Sequence, residues 1–333
     1  SRRGYRGRAD WLEALGLDMP ATYEAYDAVL AAFRERYGCA ETFGMQPTGA
    51  IPGDYLAAGY GVTAYTSGSD MASVGFYAQD GQVKYGPAEA GFWDYLTMLA
   101  GWRAEGLFST DFVTWSDVNT YEKLVLNDQM GIFYTYASRA EGLAGNLSGG
   151  GRLAPIPDAA LTPGAERHLG GQNNRRTGMT TLAVYEGSPR AELCVRWCDF
   201  WYGDEGTQLV NYGAEGDALP AAEDSAGLCG FLPGIYDQSL QLVRATGAYR
   251  AAAETWTTDN SWRIPADLSL SEADQQRFAI LAQGLTTTVT VWSTQIIAGE
   301  RPLDCRDEFL AELDKNGLQM CLVCLTAYLK LVG

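Results

Sequence analysis

Histidine is nearly absent from this chain: 333 residues contain one, His168. Histidine is the usual neutral-pH base and a principal zinc ligand, so a single copy argues against Ser-His-Asp triads and histidine metal cages. His168, in Glu166-Arg167-His168-Leu169-Gly170, reads as an incidental surface residue where a loop meets a strand. Positive charge is also scarce: 24 Lys and Arg stand against 41 Asp and Glu, a net charge of −17. A polyanion would be repelled, so nucleic acid is not an expected partner. The run of ~20 apolar residues that spans a bilayer is missing. So are a P-loop, a nucleophile elbow and metal-ligand spacings. No catalytic residue, metal ligand or cofactor is therefore nominated. The opening Ser1-Arg2-Arg3-Gly4 has no apolar leader, so any signal peptide or lipid anchor is expected to lie upstream and to have been removed.

Cysteine is present but poorly arranged for chemistry. There are seven, an odd number that does not suit a complete disulfide framework. Cys194 and Cys198, and Cys321 and Cys324, have spacings that suit the core-facing side of helices. A redox Cys-x-x-Cys needs an exposed helix start, whereas Cys321-Leu322-Val323-Cys324 lies inside the helical pattern Leu318–Leu331. Most of the thiols are expected to be free and buried.

Aromatics are abundant, with 9 Trp and 19 Tyr, and the composition is globular at 47% hydrophobic. The length suits two lobes. Helix and strand signals alternate. Thr22 caps a helix with Tyr23, Tyr26, Leu30, Phe33 and Tyr37 on one face and Gly38 as its stop. Residues 39–86 read as loops and short strands. Pro87 opens a helix carrying Phe92, Tyr95, Leu96, Leu99 and Trp102, ended by Gly106. Asp117–Leu126 is a short helix and Gly131–Tyr136 a strand. Leu153–Pro157 and Thr180–Tyr185 read as strands. Ser188-Pro189 starts a helix with Ala191, Cys194, Val195, Cys198 and Trp201 turned inward, and Asp204–Tyr212 is another helix. Ser271 with Asp274 resembles a capping box. Thr286–Ala298 is helical, and Asp304 caps Cys305–Asn316 before Gly317 and a terminal helix.

The order of certain passages resembles one family. Asp10-Trp11-Leu12-Glu13-Ala14-Leu15-Gly16-Leu17 followed by Pro20-Ala21-Thr22-Tyr23-Glu24-Ala25-Tyr26 is similar to a passage of the extracellular solute-binding proteins of family 1. So are Gly131-Ile132-Phe133-Tyr134, Trp197-Cys198-Asp199-Phe200-Trp201-Tyr202-Gly203-Asp204-Glu205-Gly206 and Asn211-Tyr212-Gly213-Ala214-Glu215-Gly216. Gly299-Glu300-Arg301-Pro302 and Leu313-Asp314-Lys315-Asn316-Gly317-Leu318 complete the series. Each passage is weak alone; their order is specific. The family usually carries about a hundred residues before the first of these passages.

The resemblance implies an α/β, two-lobed fold of the type 2 periplasmic-binding-protein kind, with the first lobe incomplete. Lobe 2 would be residues 1–170 and 246–333, and 171–245 the remnant of lobe 1. It further implies the solute-binding component of an ABC importer. Such a protein holds a sugar or oligosaccharide between its lobes, partners permease subunits and is lipid-anchored outside the cell. In such proteins ligand contacts follow the strand equivalent to Gly131–Tyr136, which nominates Tyr134, Tyr136, Ser138 and Arg139. Arg139 suits bidentate hydrogen bonding. Glu215 and Tyr212 flank a glycine-framed turn, where Glu215 serves either the turn or a ligand. Tyr55, Trp115 and Trp262 are further aromatic candidates for a sugar's C–H face. A remnant with the lone strand Thr180–Tyr185 is expected to self-associate by strand pairing. Two other classes stand beside transport: a non-transport recognition module such as a sensor or adhesin, and a glycoside hydrolase, which would need two carboxylates facing one cleft.

Overall fold

The structure is a computed structural model, and it describes residues 3–39, 42–44, 54–64, 74–108, 112, 118–169, 183–212, 234–235, 247–256, 261–264 and 268–332. The chain divides into two compact units, Ser1–Gln172 with Glu254–Gly333, and Asn173–Ala253.

The first unit is built on a four-stranded sheet. β1 (Arg3–Arg8) lies between β5 (Ile132–Tyr136) and β6 (Leu153–Pro155), antiparallel to both, and β2 (Phe43–Gly44) runs parallel to β5 on its far side. β1 has an unpromising strand sequence, Arg-Gly-Tyr-Arg-Gly-Arg, and no strand was expected from it. It is nevertheless buried from Gly4 to Arg8, with Tyr5 and Arg6 at 1% and 0% exposure. Residues of a strand alternate between faces. Arg3 and Tyr5 therefore share one face and Gly4 and Arg6 the other. The glycines are there for close approach. A Cβ on Gly4 would sit 2.3 Å from the Trp256 ring, and one on Gly7 would sit 2.6 Å from Ile156.

Tyr5 anchors the aromatic core. Its ring stacks on Phe43 at 5.3 Å and meets Tyr134 and Tyr26 edge-on at 5.1 and 6.3 Å. Tyr26 belongs to α2 (Tyr23–Tyr37), capped as its sequence suggests: the Thr22 hydroxyl accepts the Ala25 N–H at 3.2 Å, and Gly38 closes the helix in the left-handed conformation. α1 (Ala9–Leu15) follows β1 directly and buries Trp11 and Leu12. A hairpin of β3 (Phe76–Gln79) and β4 (Gln82–Tyr85) packs Phe76 against Phe278, a residue of the long helix α9 (Glu272–Ile297).

α3 (Ala90–Ala104), α4 (Val118–Leu126), α5 (Ala137–Ala144), α10 (Arg306–Lys315) and α11 (Leu318–Val332) complete this unit. α8 (Gly247–Thr255) crosses the division between the units. The second unit contains α6 (Ala191–Tyr202) packed on α7 (Asp204–Tyr212).

Several local expectations need correction. Pro87 does not open α3. It lies in a 3₁₀ turn, Gly86–Ala88, and the extended backbone of Glu89 delays the helix to Ala90. Asp304 is not the cap of α10: Cys305 occupies that place without a side-chain cap bond, and the helix begins at Arg306. The strand from Leu153 ends at Pro155 rather than Pro157: the Ile156 N–H still donates to the Tyr5 carbonyl at 2.8 Å, but the Ile156 carbonyl accepts from the Trp256 ring N–H at 3.0 Å. Ala183–Tyr185 is not strand; it runs into the turn at Glu186-Gly187, and Tyr185 is 79% exposed, while Thr180–Leu182 lie outside the described residues. Along α6, Val195 is 50% exposed, and Ala191, Cys194, Cys198 and Trp201 are only half-buried. Helical periodicity marks an apolar face but does not supply the surface that covers it. Half of the capping box forms: Ser271 accepts the Asp274 N–H at 3.2 Å, but the Ser271 N–H donates to the Tyr328 hydroxyl at 3.0 Å, and the Asp274 carboxylate accepts from the Ser271 and Tyr328 hydroxyls at 2.7 and 2.6 Å.

The packing at Gly4 sets a test. Gly4→Ala should lower stability by about 1–3 kcal/mol, the usual cost of overfilling a packed site. Gly101→Ala, inside α3 with nothing within 4 Å of its Cβ, should raise it by about 0.5–1 kcal/mol. Urea denaturation of the two variants measures both signs.

Candidate functional site

The sheet has one end where β1 begins and β5 finishes. Antiparallel pairing places Arg3 opposite Tyr136, and Tyr5 opposite Tyr134. A 3₁₀ segment, Asp54–Tyr60, brings Tyr55 to the same place. The Tyr55 and Tyr134 rings stack nearly parallel, 4.8 Å apart with a 10° tilt. The Arg3 guanidinium lies over the Tyr55 ring at 5.2 Å. Tyr134 is buried against Tyr5, while Arg3, Tyr55 and Tyr136 are half-buried. The result is a packed aromatic stack with the Arg3 guanidinium over Tyr55 and the half-buried Tyr136 opposite Arg3 in the register. On the other face of the strand, the buried Arg6 guanidinium lies 5.0 Å over the Trp256 ring, whose N–H donates to the Ile156 carbonyl at 3.0 Å. Two cation–π contacts thus bracket one strand.

Of the residues nominated from sequence, Tyr134, Tyr136 and Tyr55 come together here. Arg139 turns elsewhere: on α5 it donates through Nε and Nη2 to Glu122 of α4, at 2.5 and 3.0 Å. Ser138 starts the same helix, and its side chain is outside the described residues, as are Trp115 and Glu215. Tyr212 ends α7 in the second unit and is 38% exposed. Trp262 belongs to a separate cluster, stacked on His168 at 4.4 Å and facing Tyr77 at 6.0 Å. His168 is accordingly not an incidental surface residue. It is half-buried on Trp262, with Nδ1 3.0 Å from the Ser261 hydroxyl. Arg3 and Tyr5 were not nominated, because the charges of Arg-Gly-Tyr-Arg-Gly-Arg mask the alternation of a strand. The two glycines were the available signal, since both mark positions where another group approaches the backbone.

At the opposite end of β1, Arg8 organises an ionic cluster. Its side chain is 4% exposed and lies 4.4 Å over Trp11. It donates to both Asp10 oxygens at 2.9 and 2.7 Å and also to Asp128, whose other oxygen accepts from Ser148 at 3.0 Å. Burial alone would raise the Asp10 pKa. The hydrogen bonds from Arg8 and from the Arg152 N–H, together with the Arg8 charge, bring it below the ordinary carboxylate value. The cluster is internally satisfied and reads as a structural clasp.

The thiols offer no reactive centre among the described residues. Six cysteines are free there, with Cys39, Cys305 and Cys321 buried, and burial pushes the Cys39 and Cys321 thiols up to about 11. The described residues hold no group of three or more His, Cys, Asp or Glu suited to a metal. None of their helices is long and apolar enough to cross a membrane.

This architecture has counterparts among solved structures. The chain has the α/β fold of the two-lobed solute-binding proteins of ABC transporters. It is similar to the alginate-binding protein AlgQ2 solved without calcium ion, with a TM-score of 0.70 and 20% identity over 98% of this chain and 72% of that one. It is similar also to an HMO-binding, ABC-transporter-associated solute-binding protein from Bifidobacterium longum infantis, at 0.70 and 16% over 99% and 73%. A third counterpart is the S. pneumoniae ABC-transporter substrate-binding protein FusA in complex with kestose, at 0.69 and 17% over 99% and 72%. No family model and no curated protein matches the sequence. At these identities the likeness shows the fold.

The depressed Asp10 pKa gives a signed expectation. A carboxylate whose folded pKa lies below its unfolded value contributes stability above about pH 4, lost as pH falls through the folded value. Asp10→Asn should cost about 1–3 kcal/mol at pH 7, because Arg8 loses a charged partner. Its melting temperature should also fall less than wild type between pH 5 and pH 2.5, so that the curves converge in acid. Parallel curves would contradict the assignment.

Proposed function

We propose that this chain is the extracellular solute-binding component of an ABC importer, that it captures an oligosaccharide and that it hands it to permease subunits. One observation carries the reading. A chain with the solute-binding fold gathers, at a strand end, the stacked pair Tyr55–Tyr134, the Arg3 guanidinium over Tyr55 and the half-buried Tyr136 opposite Arg3. A sugar ring has a flat C–H face, and an aromatic side chain such as Tyr136 suits it. The similar structures are described as alginate-binding, HMO-binding and in complex with kestose, which agrees with an oligosaccharide ligand. In this reading Ser1–Gln172 with Glu254–Gly333 corresponds to lobe 2 and Asn173–Ala253 to part of lobe 1.

Binding rather than turnover is favoured by the chemistry of the platform. Glycoside hydrolysis uses a pair of carboxylates, and Arg3, Tyr5, Tyr55, Tyr134 and Tyr136 supply none. Attachment outside the cell by a lipid, contact with a permease and self-association are part of the same proposal and rest on the resemblance.

A melting-temperature panel of oligosaccharides, monosaccharides, amino acids and peptides tests the reading. A ligand at ~100-fold its Kd stabilises by ~2.7 kcal/mol, so an oligosaccharide should stand out. Tyr136→Ala should weaken that ligand about tenfold or more while leaving the unliganded melting temperature nearly unchanged. Stabilisation by amino acids or peptides alone would reject the proposal.

A further inference from the structure

We propose that the carboxylate of Asp158 is a ligand-contacting group that accepts hydrogen bonds from the hydroxyls of a neutral oligosaccharide. The inference rests on the sugar-binding reading above and deepens it by naming the charge class of the ligand. Asp158 stands at the same end of the sheet as Tyr136. β5 and β6 both run antiparallel to β1, so both leave the sheet where β1 begins. Past β6 the Ile156 N–H still donates to the Tyr5 carbonyl at 2.8 Å, and Asp158 follows two residues on. β5, β1 and β6 are neighbours in the sheet, so the backbones of Tyr136 and Asp158 are two strand spacings apart, roughly 10 Å. An oligosaccharide laid across the sheet end would meet both.

The carboxylate has no partner of its own among the described residues. Asp158 is half-buried, and its oxygens are not sealed from the outside. Its backbone carbonyl accepts from the Arg167 guanidinium, but its carboxylate oxygens enter no hydrogen bond or ion pair with the described residues. Two phenols, Tyr23 and Tyr26, lie within electrostatic reach of it. Each has one proton to donate. Tyr23 gives its proton to the Leu56 carbonyl, and Tyr26 gives its own to the Pro157 carbonyl at 3.0 Å. Neither can donate to Asp158 while those bonds hold. Burial raises the Asp158 carboxyl above its ordinary value, and the charge of Arg167 offsets only part of that. The protein thus surrounds this group without satisfying its charge. A desolvated carboxylate left without donors costs the fold free energy, and such a group marks a functional site.

What the group takes follows from its chemistry. An ionised carboxylate only accepts, through two oxygens. Neighbouring sugar hydroxyls are O–H donors held side by side, and hydrogen bonds to an ionised acceptor are about twice as strong as neutral ones. An acidic sugar would instead bring a second negative charge against Asp158, in a chain of net charge −17, and would be repelled. The ligand is therefore neutral. Tyr136 takes the C–H face of a ring and Asp158 a hydroxyl edge. One carboxylate does not make the pair that glycoside hydrolysis requires.

Isothermal titration of the full chain at pH 7 with kestose, maltotriose, cellotriose and tri-galacturonate supplies the test, with Asp158→Asn and Asp158→Ala beside wild type. At least one neutral trisaccharide should bind, and more tightly than tri-galacturonate. Asp158→Asn should weaken it about tenfold or more, and Asp158→Ala at least as much. The unliganded melting temperature separates this role from a structural one. A carboxyl whose folded pKa lies above its unfolded value contributes stability at low pH that is lost as pH rises through the folded value, so at pH 7 the ionised group is a net cost. Asp158→Asn should therefore leave the melting temperature unchanged or raise it, whereas loss of a carboxylate that holds its neighbours would lower it. Tri-galacturonate as the tightest ligand, neutral binding that both variants leave unchanged, or an affinity loss matched by a fall in the melting temperature of both variants overturns this proposal while the sugar-binding reading stands. Binding of none of the four overturns it as well, and stabilisation by amino acids or peptides alone overturns the sugar-binding reading with it.

Discussion

The first unit depends on burying one strand that carries three arginines. β1 lies inside the sheet, and Arg6 and Arg8 are buried at 0% and 3% exposure. A buried cation is tolerated only with compensation. Each here has a solution of its own. Arg6 lies over Trp256, and Arg8 lies over Trp11 and is clasped by Asp10 and Asp128. Arg3, at the strand's open end, lies over Tyr55. Aromatic faces are thus the common means of holding these cations, which helps to account for the richness of the chain in Trp and Tyr. Trp256 also ties the late part of the chain to its first strand, because its ring fills the space left by Gly4 and its N–H reaches Ile156.

The same constraint explains what was legible in the sequence. Helices with an apolar stripe and a cap were readable: Thr22 and Gly38 bound α2, and Ser271 with Asp274 starts α9. β5 was readable because Ile-Phe-Tyr-Thr-Tyr is β-branched and aromatic throughout. β1 was not, since strand propensity and charge point away from a buried strand. Its burial is decided by Trp256, Asp128 and Tyr134, which lie more than a hundred residues away in sequence. Helix starts at Pro87 and Asp304 were misplaced for a smaller reason: several nearby residues can cap, and the backbone path chooses among them.

The site divides along similar lines. Tyr134 and Tyr136 were nominated because they end a recognisable strand. Tyr55 was chosen by residue type, and its ring packs against Tyr134 and the Arg3 guanidinium. Arg139 was chosen for its position after that strand, yet Glu122 lies within reach on the neighbouring helix and takes its donors. Arg3 was hidden with the strand that bears it. Trp262 likewise packs in a cluster of its own, with His168 and Tyr77 against its ring. An aromatic residue identifies a candidate platform only when a face remains for a ligand, and that is a property of packing rather than of composition.

The central claim is a location: the ligand sits where β1 begins and β5 ends. Hydrogen–deuterium exchange with and without a saturating oligosaccharide addresses it directly. Protection should rise in peptides covering residues 3–8, 54–60 and 132–139, where Arg3, Tyr55 and Tyr136 lie. Unchanged exchange in all three, with protection concentrated instead around Trp262 and His168, would contradict the account.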